Sequence, residues 1–159
     1  MAGNDAKQLV ESLLLTDAYP HEVNSEIVLI ETHISWVFLA GDFAYKIKKP
    51  IQNSFLNYTT LARRKHFCEE ELRLNQRFAK EIYLDVIAIT AGNEGARIGG
   101  SGEPIEYAVR MKRFAADALL SHRVAHDLVH VNEVSSLAAS VAELHAQAAK
   151  ADPSGRDHG

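Results

Sequence analysis

The strongest constraint on the fold is a β-hairpin pattern between Trp36 and Pro50. Two runs rich in β-branched and aromatic residues flank the pair Gly41-Asp42, and glycine accepts the positive φ that a tight two-residue turn requires. Pro50 has no N–H group to donate to a ladder, so it is expected to end the second run. The stretch therefore predicts two short antiparallel strands joined by a tight turn.

The second of these strands carries two lysines on one face. Side chains alternate along a strand, so Lys46 and Lys48 share a face with Ala44. The opposite face carries Phe43, Tyr45 and Ile47. One interpretation is a solvated face on a half-buried strand, which this stretch alone favours. The other is a strand that directs an ammonium group at a bound phosphate.

A long helix is predicted after this hairpin. Thr60 is a candidate N-cap for a helix from Leu61 to about Lys80. At about 100° per residue, six side chains form one apolar arc: Phe67, Cys68, Leu72, Leu74, Phe78 and Ala79. Glu71 falls inside this arc, and a buried carboxylate is costly unless it is paired. We therefore expect an ion pair with a lysine of the preceding strand; the alternative is a rim residue that reaches water.

The remaining periodicity predicts an ordinary mixture of helices and strands. Further helices are expected at 7–15, 118–124 and 132–150, and further strands at 27–32, 82–90, 105–111 and, more weakly, 96–98. In the strand at 105–111 two sets of side chains alternate: Ile105, Tyr107, Val109 and Met111 on one face, and Glu106, Ala108 and Arg110 on the other. This alternation predicts a half-buried strand.

Composition limits the class of protein. The chain has 159 residues, of which 47% are apolar and 24% charged, an ordinary globular balance. Its net charge of −4 gives no overall attraction to nucleic acid or acidic membranes. A single cysteine, Cys68, and the lack of a recognisable secretory signal or membrane span lead us to expect a cytoplasmic protein.

Positive charge is nevertheless concentrated in one region. Between Tyr45 and Lys80 there are nine Lys or Arg residues and three Glu. This local excess favours an anionic ligand. The run Arg63–Lys65 is expected to be a solvated helix start; a patch that contacts RNA is the less favoured alternative, because interleaved aromatic residues are lacking. The histidines show no ligand spacing, so we predict no structural metal.

A lysine on the third strand that pairs with a glutamate of the following helix organises nucleotide phosphates in protein kinases. At this point three runs resemble a known family: ETHISWVFLAGDFAYKIKKP, RRKHFCEEELRLN and EYAVRMKRF. They are similar to the N-terminal lobe of aminoglycoside phosphotransferase-like proteins, in a bacterial branch often fused to a P-loop ATP-binding kinase domain. The resemblance covers roughly residues 20–150.

The resemblance implies an α+β fold: a protein-kinase-like N-lobe with a five-stranded antiparallel sheet and one long helix, followed by the first helices of a truncated C-lobe. The implied divisions are an N-terminal helix at 1–20, the lobe at 21–114, the helices after the hinge at 115–150 and a disordered tail at 151–159.

The resemblance also implies a set of nucleotide-binding residues. The lysine that contacts phosphate would be Lys48 or Lys46: anchoring on Pro50 favours Lys48, whereas the pattern Phe-Ala-Tyr-Lys favours Lys46. Glu71 would be its partner. The link His33–Ser35 would replace the phosphate-covering loop, although it lacks glycine. The hinge would consist of Met111, Lys112, Arg113 and Phe114.

The implied cofactor is ATP with Mg²⁺, but the family's catalytic loop and its metal-binding Asp have no match in this sequence. We therefore expect no catalytic residue in this chain and no phosphotransfer by the chain alone. The expected function is an ATP-binding lobe that needs a C-lobe or a partner chain, with weak stability or self-association through an exposed apolar face. The alternatives are a non-catalytic nucleotide-binding or protein-interaction module and a basic-patch RNA binder.

Overall fold

The computed structural model describes residues 3–92 and 95–148. The chain divides into two compact units, with the boundary between Phe114 and Ala115. The tail at 151–159, which the sequence predicts to be disordered, lies outside the described residues. None of the helices in the described ranges has the length and apolar character needed to cross a lipid bilayer.

The first unit contains a six-stranded antiparallel sheet and two α-helices. Its elements are α1 (Gly3–Leu13), β1 (Val28–Glu31), β2 (Ser35–Ala40), β3 (Phe43–Lys48), α2 (Leu61–Asn75), β4 (Tyr83–Gly92), β5 (Gly95–Ile98) and β6 (Pro104–Lys112). The second unit contains α3 (Leu120–Ala125) and α4 (Val131–Gln147). The predicted α+β class is confirmed.

The strands lie in the order β1-β2-β3-β6-β4-β5. The sheet therefore has six strands, and the prediction of five was wrong. The strand missing from the count of five is β5, which the sequence predicted only weakly at 96–98 and which pairs with β4 at the edge of the sheet. It is only four residues long and begins at a glycine, so it carries too few side chains for a clear two-residue alternation.

The predicted hairpin is confirmed. β2 and β3 pair in antiparallel register with Ala40 opposite Phe43, and Gly41 occupies the turn with a φ of 55°. β3 also pairs with β6, which places Lys46 opposite Val109. The lysine-bearing strand is consequently an interior strand, with neighbours on both edges.

The two faces of the sheet have different partners. On one face, Tyr45 and Ile47 belong to a buried apolar cluster that includes Leu9 and Leu13 of α1. On the other face, α2 packs against β6 and β4. Burial of the apolar cluster supplies the main driving force for assembly of this unit, because each large aliphatic or aromatic side chain removed from water contributes about 1.5–3 kcal/mol.

Helix α2 is shorter and less apolar on its buried side than the sequence predicts. It ends at Asn75 rather than near Lys80, and Gln76 is its C-cap. Two members of the predicted apolar arc, Leu74 and Phe78, are exposed. Phe78 lies beyond the end of the helix, where a period of 3.6 residues no longer places it on the buried side.

The N-cap of α2 gives a test of local stability. The Thr60 hydroxyl accepts a hydrogen bond from the Arg63 backbone N–H at 3.3 Å. We expect Thr60→Ala to lower the free energy of unfolding by about 1 kcal/mol, because the N–H loses its partner. Urea denaturation measures this change. Thr60→Ser keeps a hydroxyl and should restore most of it; equal losses in the two variants would contradict the capping role.

Candidate functional site

One carboxylate of α2 binds two lysines of β3. Lys46 Nζ lies 2.8 Å from Glu71 Oε1, and Lys48 Nζ lies 2.7 Å from Glu71 Oε2. We call these three residues the Lys–Glu–Lys cluster. The ion pair predicted between the strand and the helix is confirmed, and it involves both candidate lysines.

The cluster is positioned by the two elements that meet there. Lys46 and Lys48 are two residues apart in β3, so both side chains project from the same face of the sheet. Glu71 follows Cys68 by three residues, which places it on the stripe of α2 that contains this buried thiol. The centroid of the Tyr58 ring, in the segment before α2, lies 5.2 Å from Lys48 Nζ.

Accessibility falls steadily across the cluster. The side chain of Lys46 is 29% exposed, that of Glu71 13% and that of Lys48 5%. The alternative that Glu71 is a rim residue reaching water is therefore wrong. The solvated-face interpretation is also wrong for Lys48, although Lys46 keeps partial contact with solvent.

Hydrogen bonding keeps the buried groups charged. Burial disfavours the ionised form of Glu71, but the hydrogen bonds and charges of Lys46 and Lys48 outweigh this effect and lower the pKa of the carboxyl group. Burial also disfavours the ionised form of Lys48, which by itself would lower its pKa. The hydrogen bond and charge interaction with Glu71 outweigh this effect and raise the pKa of Lys48. The buried lysine and its carboxylate partner are therefore both ionised at neutral pH.

The cluster has one more positive than negative charge. Two ammonium groups share one carboxylate, and the neighbouring Cys68 cannot supply a second anion, because burial raises the pKa of its thiol to about 12. The buried carboxylate of Glu106 is paired with Arg64 of α2. Within the described residues, the excess positive charge of the cluster has no counter-ion of its own.

Ser35, predicted in the phosphate-covering link, instead begins β2, directly opposite Lys48. Its side chain is fully buried, and within the described residues its hydroxyl has no hydrogen-bond partner. His33 is exposed in the tight turn that precedes the strand. The Thr32 hydroxyl accepts hydrogen bonds from the N–H groups of Ile34 and Ser35. The link is thus a closed turn, and two of its N–H groups are already used.

The predicted hinge begins inside a strand. Met111 and Lys112 are the last residues of β6, and Met111 pairs with Ala44 on the lysine-bearing face. The backbone N–H groups of Lys112 and Arg113 donate to the carbonyl oxygens of Ile82 and Asp42. Phe114 is half exposed. Of the two predicted hinge residues that belong to β6, Met111 shares the face that carries the cluster and Lys112 lies on the opposite face.

A second buried ion pair was not predicted from the sequence. Arg64 Nε lies 2.7 Å from Glu106 Oε2, and these side chains are 3% and 0% exposed. The Arg64 guanidinium also donates to the carbonyl oxygens of Tyr58 and Thr59. The prediction that residues 63–65 form a solvated helix start was therefore wrong for Arg64. Because it is buried, Arg64 also cannot belong to the alternative, an exposed patch at 63–65 that contacts RNA. Arg63 and Lys65 are exposed.

The signal that would have identified Arg64 was present in the sequence. Arg64, Cys68 and Glu71 are spaced four and three residues apart, which defines one stripe of an α-helix. The stripe that faces the sheet therefore contains a cation, a thiol and an anion. The alternation at 105–111 did not assign a partner to Glu106; Arg64 supplies the partner that permits its burial.

Two cavities of about 360 and 340 Å³ lie elsewhere in the first unit, beside α1 and beside the β2–β3 turn. Neither is lined by the Lys–Glu–Lys cluster. In the described part of the chain there is also no group of three or more His, Cys, Asp or Glu residues that could hold a metal ion. Within the described residues, neither these two cavities nor a metal-ligand group therefore provides a second candidate functional site comparable with the Lys–Glu–Lys cluster.

The chain is similar to long mycobacterial proteins. Uncharacterized proteins of Mycobacterium bovis and Mycobacterium tuberculosis are 32% identical to it over 132 residues, which is 83% of this chain and 25% of each relative. The chain thus spans about a quarter of the length of the curated relatives it matches. No family model matches the chain, and no solved structure matches it.

Proposed function

We propose that the chain is the nucleotide-binding lobe of a phosphotransferase with a protein-kinase-like N-lobe, and that the Lys–Glu–Lys cluster binds nucleotide phosphate. The arrangement of elements supports this proposal. Lysines on the third strand meet a glutamate of the following helix, as in the ion pair that holds the phosphate-contacting lysine of protein kinases.

The single observation that carries the proposal is the unmatched positive charge of the cluster. A charge in a partly buried site is costly unless a group of opposite sign lies nearby. A phosphate group would supply that charge, and its oxygens accept short, strong hydrogen bonds from ammonium groups. ATP is the phosphate compound that the resemblance favours.

The described residues do not fit a magnesium site, since they provide no cluster of three carboxylate or histidine ligands. We propose that the Mg²⁺ ligands and the groups that align an acceptor belong to another part of a longer protein. The relatives, of which this chain matches a quarter, are long enough to contain such a part.

The second unit supports the same proposal. Within residues 115–148 no side chain is buried, and several large apolar side chains are exposed: Leu119, Leu120, Val124, Leu128, Val131, Val134, Leu137 and Val141. Large amounts of exposed apolar surface are typical of interaction sites in soluble domains. We propose that this surface packs against a further lobe or a partner chain.

The test is thermal protection by nucleotide. ATP at about 100 times its dissociation constant should stabilise the wild-type chain by about 2.7 kcal/mol, which differential scanning calorimetry detects as a rise in Tm. Adenosine, which lacks phosphate, should give no comparable rise. The variant Lys46→Met/Lys48→Met should lose the protection.

Lys65→Met is the matched control, because it removes one exposed charge of the same type outside the cluster. Its protection by ATP should equal that of the wild type. Protection that persists in the double variant, or that is lost equally in the Lys65 variant, would contradict a phosphate site at the cluster.

A non-catalytic interaction module is the second candidate, and the exposed apolar side chains of the second unit are compatible with it as well. Such a module would associate with increasing protein concentration in the absence of nucleotide. Sedimentation equilibrium distinguishes the two: concentration-dependent association together with no protection by ATP would support the interaction module over the phosphotransferase lobe.

A further inference from the structure

We infer that Lys46 is the lysine that contacts the nucleotide phosphate, and that Lys48 is a positioning residue that acts through Glu71. This inference rests on the proposed function, since it assigns roles within the same cluster. The sequence left the two lysines equivalent, because both project to the same face of β3. Their different surroundings in the folded chain separate them.

The first argument is access. The Lys46 side chain is 29% exposed, and the described residues give its ammonium group one hydrogen-bond partner, Glu71 Oε1. An ammonium group has three donors, so Lys46 can hold Glu71 and a phosphate oxygen at once. The Lys48 side chain is 5% exposed and lies between Glu71 Oε2 and the Tyr58 ring. A phosphate would have to displace one of these groups to reach it.

The second argument is charge. Lys48 neutralises Glu71 from the buried side, where it is also opposite the fully buried Ser35. The carboxylate therefore stays compensated when Lys46 directs its charge at a ligand. Without Lys48, Lys46 would have to balance both Glu71 and the phosphate, and the excess positive charge would disappear. Lys48 thus strengthens phosphate binding without touching the phosphate.

This division of roles predicts a specific dependence on Glu71. If Lys48 acts only by neutralising Glu71, its removal should no longer affect ATP binding once Glu71 is uncharged. If Lys46 contacts phosphate directly, its removal should weaken binding whether or not Glu71 is charged. A purely structural role for Lys48 would contradict the first of these expectations, because the loss of Lys48 would then weaken ATP binding in both backgrounds.

The experiment is a double-mutant cycle on the full chain, with ATP as the probe and isothermal titration calorimetry as the readout. The decisive pair is Glu71→Gln/Lys48→Met and Glu71→Gln/Lys46→Met. These two variants have the same formal charge and retain one lysine each, so each serves as the control for the other. Circular dichroism and urea denaturation establish that each variant is folded.

We expect Lys46→Met to weaken ATP binding by about tenfold or more in both backgrounds, the loss typical of a charged hydrogen bond. Glu71→Gln/Lys48→Met should bind ATP within about threefold of Glu71→Gln alone. If Glu71→Gln/Lys48→Met binds ATP more weakly than Glu71→Gln/Lys46→Met, or if the two variants lose affinity for ATP equally, the inference is overturned while the proposed phosphate site stands. Failure of the wild-type chain to bind ATP overturns the proposed function and the inference with it.

A second measurement decides the matter if the variants that replace Lys48 by methionine do not fold. In the wild-type chain with ¹⁵N-labelled lysine, ATP should shift the ammonium resonance of Lys46 more than that of Lys48. The variants Lys46→Arg and Lys48→Arg keep the charge and assign the two resonances. A larger shift at Lys48 contradicts the inference.

Discussion

Replacement of Arg64 by methionine is expected to lower the free energy of unfolding of the first unit by about 3–5 kcal/mol, the usual cost of removing one partner of a buried ion pair. The substitution leaves the Glu106 carboxylate fully buried without its cation. It also removes the donors to the Tyr58 and Thr59 carbonyl oxygens, which tie the start of α2 to the preceding segment. Urea denaturation followed by circular dichroism measures the change.

Arg63→Met is the matched control for this prediction. Arg63 precedes Arg64 in the same helical turn but is exposed, so its loss should change stability by no more than about 0.5 kcal/mol. The double variant Arg64→Met/Glu106→Gln should recover part of the loss, because it no longer buries an unpaired charge. Equal effects of Arg63→Met and Arg64→Met would contradict the buried pair.

The Arg64 prediction also has a pH dependence. Burial raises the pKa of Glu106, and the charge of Arg64 and hydrogen bonds from Tyr107 and Arg64 offset this only in part. A carboxyl group with a raised pKa in the folded state opposes folding when it is ionised and ceases to do so as the pH falls through that pKa. The stability difference between Arg64→Met and the wild type should therefore shrink at acidic pH.

Replacement of Glu71 by glutamine is the second large expected effect. It leaves two ammonium groups without their shared anion, one of them in Lys48, which is almost fully buried. Loss of a partner from a buried pair costs about 3–5 kcal/mol, and we expect a value near the lower end, about 3 kcal/mol, because Lys46 can turn towards solvent. Chemical denaturation at neutral pH gives this number.

Glu70→Gln is the control, since Glu70 is the adjacent residue and forms an exposed ion pair with Arg73. Exposed ion pairs contribute about 0–1 kcal/mol to stability. The losses in free energy of unfolding caused by Glu71→Gln and Glu70→Gln should therefore differ by about 2 kcal/mol or more. A small effect of Glu71→Gln, comparable with that of Glu70→Gln, would contradict the account of the cluster.

The pH dependence of the Glu71 effect has a definite sign. The pKa of Glu71 is lowered in the folded chain by the two lysines, despite burial. Its stabilisation is therefore present above the unfolded-state pKa of about 4.3 and is lost as the pH falls through the lower folded-state pKa. The difference between wild type and Glu71→Gln should stay constant near neutral pH and decrease below about pH 4.

The cluster could be predicted from the sequence because it depends on two local periodicities. Alternation in β3 placed Lys46 and Lys48 together, and the helical period placed Glu71 among apolar side chains. The cost of a buried carboxylate then required a cation, and the nearest preceding strand supplied it. No long-range information was needed beyond the order of the elements.

The pair Arg64–Glu106 could not be predicted in this way. The two residues are 42 positions apart. The helical spacing places Arg64 on the buried stripe of α2, but it does not identify Glu106 as the partner. Only the packing of α2 on β6 shows that they neutralise each other. The distinction between Lys46 and Lys48 has the same origin: it depends on the Tyr58 ring and on the depth of each side chain below the surface, neither of which strand periodicity reports.

The most direct test of the central claim is a crystal structure of the chain grown with ATP. The account predicts a phosphate oxygen within about 2.7–2.9 Å of Lys46 Nζ, with Lys48 Nζ still bound to Glu71. ATP bound elsewhere on the chain, with no phosphate at the Lys–Glu–Lys cluster, would contradict it.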